Sequence, residues 1–161
     1  MEGYNGRLDA IQAGILRAKL KRLQAWNQKR REAAVRYHEL FNEADVNATT
    51  PYEPSWSRGV YHLYVVRVQN REELQKYLAA EKIGTGIHYP VPLHLQRAYK
   101  ELGYEEGSFP VAERVSSELC SLPMFPQITD EQQRRVVQAV ASFAAEERLV
   151  RAGKKTLAAA G

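Results

Sequence analysis

The chain has 161 residues, 44% of them apolar and 26% charged. That composition excludes a disordered, collagen-like or low-complexity chain, and the length is that of about one domain. No apolar run approaches the roughly 18 residues of a membrane span, and Met1-Glu2-Gly3-Tyr4 lacks the layout of a secretory signal, so no membrane partner and a cytoplasmic location are expected. The single cysteine, Cys120, allows neither an internal disulfide nor a cysteine metal cluster. The net charge of +4 is uneven: Arg7 to Arg36 holds nine basic and two acidic residues, whereas Tyr37 to Val150 holds eleven basic and sixteen acidic.

Leu8, Ile11, Ile15, Leu16, Leu20, Leu23 and Trp26 recur at helical spacing, and Ala33, Tyr37, Leu40 and Phe41 continue the pattern. Residues 8–44 therefore read as one long helix. Its only weak position is Gly14, at about 1 kcal/mol relative to alanine. Such a helix spans roughly 55 Å, more than the width of about 40 Å expected of a compact chain of this length. It bends, or it packs on something this chain does not contain.

Pro51, Pro54 and Gly59 punctuate a loop, and the β-branched and aromatic run at 60–68 reads as a strand. Asn70-Arg71-Glu72-Glu73 has the form of a capping box and opens a helix to about Lys82. Gly84 and Gly86 bracket a turn, and Ile87-His88-Tyr89 is a short strand ended by Pro90 and Pro92. A short helix near 94–102 and a loop from Gly103 to Gly107 follow. Pro110 is placed to open a helix through about Cys120, Leu122 to Phe125 is a third extended piece, and Thr129-Asp130-Glu131-Gln132 caps a last helix over 130–150. The tail, 151–161, lacks a bulky apolar stripe and is expected to fray. Interleaved helices and about three short strands indicate an α/β or α+β chain.

Of the four histidines, His38, His62, His88 and His94, none forms a helical pair at ligand spacing, and no metal site is expected. His38 reads as a helix-surface residue and His62 as a structural residue of the strand. Residues 84–96 place two imidazoles, a phenol and an amide on a proline-stiffened backbone. They read either as a rigid connection whose aromatics fill a core or as a set of positioned functional groups. Gly3-Tyr4-Asn5-Gly6 precedes a helix without a strand before it, so it is a capping region or an anion contact. The basic residues of the long helix project on three sides, which suits a solvated surface and not a nucleic-acid partner. Cys120, at a core-like helix end, reads as inert.

Six motifs, taken together and in order, carry a resemblance. They are Gly3-Tyr4-Asn5-Gly6-Arg7-Leu8-Asp9, Ile11-Gln12-Ala13-Gly14-Ile15-Leu16, Leu23 with Trp26-Asn27, Tyr61-His62-Leu63-Tyr64-Val65-Val66, Gly84-Thr85-Gly86-Ile87-His88-Tyr89-Pro90 and Ser121-Leu122-Pro123-Met124-Phe125-Pro126. From residue 3 to about 145 the chain resembles the C-terminal part of the DegT/DnrJ/StrS sugar aminotransferases. The resemblance implies a small α/β C-terminal domain of an aspartate-aminotransferase-like, fold type I enzyme. It also implies pyridoxal phosphate as cofactor, a dimer, a nucleotide-linked keto sugar as substrate and glutamate as amino donor. The His-Tyr-Pro segment followed by Pro-Leu-His-Leu-Gln is most similar to members acting at the sugar's C3 position.

By the same resemblance, Asn5 reaches across the dimer to the neighbouring subunit's cofactor phosphate, Arg7 meets donor or substrate anions, and His88, Tyr89 and His94 line the sugar pocket. Residues 1–50 become an interdomain helix with a phosphate-contact N-terminus, 51–150 the small domain, and 151–161 a disordered tail. The family's Schiff-base lysine and its acidic partner for the pyridine nitrogen lie upstream of the Gly-Tyr-Asn motif, and none of the eight lysines here sits in matching context. The chain alone is therefore expected to be inactive and to hold no catalytic residue. Two other readings stand beside this one: a non-catalytic binding or assembly subunit that pairs with a separate N-terminal half, and a basic helical nucleic-acid binder.

Overall fold

The Asp9 carboxylate starts the first helix by accepting from the backbone N–H groups of Ile11 and Gln12, at 2.8 and 3.1 Å. The structure, a computed structural model, describes residue 6 and residues 8–159, with side chains described as far as Leu149. The long helix expected over 8–44 is two helices, α1 (Ala10–Leu20) and α2 (Leu23–Glu43). Between them the Arg22 N–H bonds to the Lys19 carbonyl at 2.9 Å, a tighter turn than the α-helical one. The break falls in an exposed stretch. α1 buries none of its residues, and the adjacent Lys21 and Arg22 both stay in solvent.

β1 (Tyr64–Arg67) and β2 (Leu119–Leu122) pair antiparallel, Tyr64 opposite Leu122 and Val66 opposite Cys120. Single bridges from Thr49 to Arg67 and from Gly86 to Ser121 add one extended segment at each edge. The three strands expected from sequence thus reduce to two strands and two bridges. The 60–68 strand is cut short at Tyr61, whose φ of 48° is not an extended conformation. The 87–89 strand is replaced by the Gly86 bridge: the ladder stops there, and His88 lies in a bend with its ring against Gly86. The last strand lies three residues earlier than expected, since Pro123 has no N–H to continue a ladder.

The helices after β1 differ in detail from their sequence signals. α3 (Arg71–Ala80) lacks its expected capping box: the Asn70 amide donates to Glu147, and Glu73 pairs with Lys76 at 2.8 Å. The helix near 94–102 is two 3-10 turns, Leu93–Leu95 and Arg97–Leu102, separated by an extended Gln96. α4 (Pro110–Glu118) opens on its proline as expected. α5 (Asp130–Ala159) begins with the expected box, Thr129 N–H to Gln132 Oε1 at 3.0 Å and Gln132 N–H to Thr129 Oγ1 at 3.2 Å. It runs past the expected end near 150 because alanine, lysine and leucine favour helix and no proline intervenes.

Strand alternation sends Tyr64, Val66, Cys120 and Leu122 to one face of the sheet. There they join Ala33, Tyr37 and Phe41 of α2, Leu74 and Leu78 of α3, and Val136 and Val140 of α5 in one core. Each such large apolar side chain contributes about 1.5–3 kcal/mol on burial. Tyr37 stacks on Tyr64 with ring centroids 4.7 Å apart and donates its hydroxyl to the Pro123 carbonyl at 2.9 Å. Fully buried Gln133 joins α5 to α2: its amide donates to the Ala33 carbonyl at 2.7 Å, and its oxygen accepts from Arg36 Nε at 2.9 Å. Burial pushes the Cys120 thiol up to about 11. No helix among the described residues is long and apolar enough to cross a membrane.

Candidate functional site

The opposite face of the sheet carries Val65, Arg67, Leu119 and Ser121. Beside Ser121 the 88–96 segment and α4 enclose an open groove of about 510 Å³. His88, Tyr89, Pro92, His94, Phe109 and Val115 are among its walls. His88, Tyr89 and His94, the pocket residues expected from sequence, therefore come together in one place.

They are not equivalent there. His88 Nδ1 lies 2.9 Å from Ser121 Oγ, and no described residue takes its Nε2. The Tyr89 ring stands edge-on to it at 5.6 Å and is 69% exposed, free for a ligand to cover. His94 is turned inward. Its Nε2 is 2.9 Å from Glu113 Oε1, its side chain is 8% exposed, and its ring meets Phe109 edge-on at 4.8 Å. It braces the wall of the groove.

Glu113 organises that wall. Its carboxylate accepts from the backbone N–H of Gly107, at 3.0 and 2.9 Å, and from that of Phe109 at 3.1 Å. These bonds, the Gly107 pair foremost, together with His94, hold its pKa below the usual carboxylate value. Gly107 can offer its N–H because its φ is 89°, a conformation glycine adopts without steric cost.

A second, more polar groove of about 450 Å³ runs along α2, lined by Gln24, Asn27, Gln28, Arg31, Arg58 and Gly59. Arg31 grips Glu53 through two bonds of 2.7 and 3.0 Å and donates to the Gly59 carbonyl at 2.6 Å. The Gly59 N–H also donates to Glu53, and Tyr61 donates its hydroxyl at 3.3 Å. Arg31 before all, then the Gly59 amide, lower the Glu53 carboxyl to about 2. His38, expected on the helix surface, is half-buried with Nδ1 3.4 Å from the Tyr64 hydroxyl, and burial lowers its pKa. His62 is not the satisfied strand residue expected: its ring is exposed, and it contributes its carbonyl to Arg30 at 3.2 Å.

The expectations for Asn5 and Arg7 lie outside the described residues. Among the described residues no three His, Cys, Asp or Glu side chains gather as a metal site would require. Sequence reasoning missed Ser121 and Glu113 as parts of the site. The signal for Ser121 was present: a lone polar residue between Cys120 and Leu122, at the position that alternation turns away from the core.

A short antiparallel sheet, three covering helices and an aromatic–imidazole groove on the far face define a small α/β domain of the kind found in fold type I aminotransferases. The model of the DegT/DnrJ/EryC1/StrS aminotransferase family matches residues 1–141, and the chain belongs to that family. It is 45% identical over 139 residues to the dTDP-3-amino-3,6-dideoxy-alpha-D-galactopyranose transaminase of Aneurinibacillus thermoaerophilus, covering 86% of this chain and 37% of that protein. It is 44% identical over 142 residues to a pleiotropic regulatory protein of Geobacillus stearothermophilus, covering 88% and 38%. The crystal structure of S. venezuelae DesV superposes with a TM-score of 0.80 at 38% identity, covering 89% of this chain and 38% of that one. The chain therefore spans little more than a third of the length of these relatives.

Proposed function

We propose that this domain is the C-terminal part of a pyridoxal-phosphate-dependent aminotransferase that moves an amino group from glutamate to C3 of a nucleotide-linked keto sugar. The observation that carries the reading is the groove in which Ser121 anchors His88 beside an exposed Tyr89, on a chain whose family match runs through those residues. An imidazole and a phenol at the mouth of an aromatic-walled groove suit a polyhydroxylated ring: the polar tips bond hydroxyls and the ring faces cover C–H surfaces. The name of the Aneurinibacillus relative, a 3-amino sugar transaminase, supports C3.

The described residues do not fit the cofactor itself. Lys19, Lys21, Lys29, Lys76, Lys82 and Lys100 are all exposed; none lines the His88 groove or the α2 groove, and Lys76 and Lys82 border instead a separate, open surface hollow along α3. In this reading the groove binds the sugar, and the reactive amine comes from the remainder of the enzyme. Asn5 and Arg7 remain assigned to the neighbouring subunit's cofactor phosphate and to substrate anions, in a homodimer, with residues 1–50 between the domains and 151–161 as a tail. The exposed apolar side chains Ile11, Ile15, Leu16 and Leu20 of α1 support that placement, because such a row is normally covered. A cytoplasmic setting goes with this substrate class.

The test is a chimaera in which this chain replaces the matching residues of the Aneurinibacillus transaminase. His88→Ala should raise the KM for the sugar nucleotide about tenfold, the worth of one good hydrogen bond, and leave the KM for glutamate unchanged. An unchanged sugar KM overturns the assignment. This chain alone should not transaminate; steady turnover of glutamate by it would contradict the reading.

A further inference from the structure

We propose that Ser121 is the positioning residue of this site: it holds His88 by Nδ1, over a bare Gly86, so that Nε2 is the atom offered to the sugar. This rests on the assignment of the groove to the sugar and adds which groups set the imidazole's orientation.

The geometry follows from one backbone pair. Gly86 and Ser121 exchange both their hydrogen bonds, Gly86 N–H to the Ser121 carbonyl at 3.0 Å and Ser121 N–H to the Gly86 carbonyl at 2.8 Å. Directly opposed residues of an antiparallel pair point their side chains to the same face. The ladder stops at Gly86, and His88, two residues on in a bend, lays its ring over that face, against Gly86 and the Ser121 hydroxyl. Ser121 therefore fixes the segment with its backbone and the ring with its hydroxyl, Oγ lying 2.9 Å from Nδ1.

Gly86 makes room for this. A Cβ there would stand 2.8 Å from His88 Cε1 and 3.4 Å from Nδ1, so the imidazole lies directly on the glycine backbone. Any side chain at 86 lifts the ring off Ser121. The hydroxyl is also well chosen for its place: Ser121 is 5% exposed, and His88 Nδ1 is the side-chain partner the described residues give its Oγ. With Nδ1 engaged by Ser121 and no described residue on Nε2, the ring, which lines the groove, has Nε2 left for a ligand.

The first experiment needs only this chain. Histidine-ring nitrogen NMR of wild type, Ser121→Ala and Gly86→Ala should show one defined His88 tautomer in wild type and averaged ring-nitrogen shifts in both variants. Ser121→Thr, which keeps the hydroxyl on a strand-compatible frame, should restore the wild-type pattern. Retained melting of each variant shows that the fold persists; if Ser121→Ala does not fold, Gly86→Ala with an intact hydroxyl reads the same displacement.

The second experiment uses the chimaera. Ser121→Ala should raise the sugar-nucleotide KM about tenfold, as expected when one hydrogen bond stops orienting its partner. The glutamate KM should stay put, and Ser121→Thr should rescue. Identical His88 spectra in wild type and Ser121→Ala overturn the positioning role, whatever the groove binds. A normal sugar KM in Ser121→Ala beside a raised one in His88→Ala also overturns it. A normal sugar KM in His88→Ala instead removes the sugar assignment itself and takes the proposal with it.

Discussion

α1 and α2 carry apolar residues at the same helical spacing, yet their surroundings are opposite. α2 buries Ala33, Ala34, Tyr37 and Phe41 completely or nearly so, while α1 buries nothing and leaves Ile11 78% exposed. Periodicity thus reports which face of a helix is apolar, not what covers it. α2 has β1, β2 and α5 beneath it; among the described residues, none of α1 is buried.

The contrast can be broken most severely at Tyr37. Replacement by alanine removes the stack on Tyr64 and the bond to the Pro123 carbonyl. A large buried aromatic replaced this way costs about 3–5 kcal/mol, to be read from denaturant unfolding; a loss under 1 kcal/mol would mean that the core does not rest on α2. The next effect is at Gln133. Gln133→Leu keeps the volume but abandons the bonds to Ala33 and Arg36. A loss of about 1–3 kcal/mol is expected, the cost of leaving buried partners unmatched.

The rim of α2 depends on charge. The Glu53 carboxyl is lowered from 4.5 to about 2 in the folded chain, by Arg31 first and the Gly59 amide second. A depressed pKa means that the unfolded state binds the proton more readily. The stabilisation is therefore full above pH 4.5 and disappears as pH falls through about 2. Melting temperatures of wild type and Glu53→Gln should differ at neutral pH and converge across that window. A difference that does not depend on pH would sink the ion-pair account. The smallest effect belongs to α1. Ile15→Ala should change the stability of this chain by less than about 0.5 kcal/mol, as at any exposed helix position; a loss above 1 kcal/mol would show that α1 is covered after all.

What could be read from sequence was local. The Thr129–Gln132 box is satisfied within its own turn, so its residues alone determine it. The similar-looking box at Asn70 fails because Glu147, far along the chain, competes for the asparagine amide. β1 lies inside its expected run, whereas β2 shares only Leu122 with the piece expected over 122–125; their ends depend on Tyr61's positive φ, in the Glu53–Arg31 cluster, and on Pro123. The site shows the same division. His88 and Tyr89 could be picked out in a short stiff segment, whereas Ser121, 33 residues away, is tied to them only by antiparallel register. The inward turn of His94 was equally hidden, because Glu113 lies a helix and a loop further on.

The single cysteine gives the molecule a chemical clock. Cys120 and Ser121 are neighbours on one strand, yet one faces the core and the other, on the opposite face, the His88 ring. The thiol is fully shielded, and with its ionisation pushed up to about 11 it supplies almost no thiolate near neutrality. An alkylating reagent can therefore react only when β2 parts from the helices on its inner side. Its labelling rate times the opening of the core. Exchange of the Gly86 and Ser121 amides, held by the bridge at the sheet's other edge, times release of the segment that leads into the groove. A sugar nucleotide that binds the groove should slow the second rate more than the first.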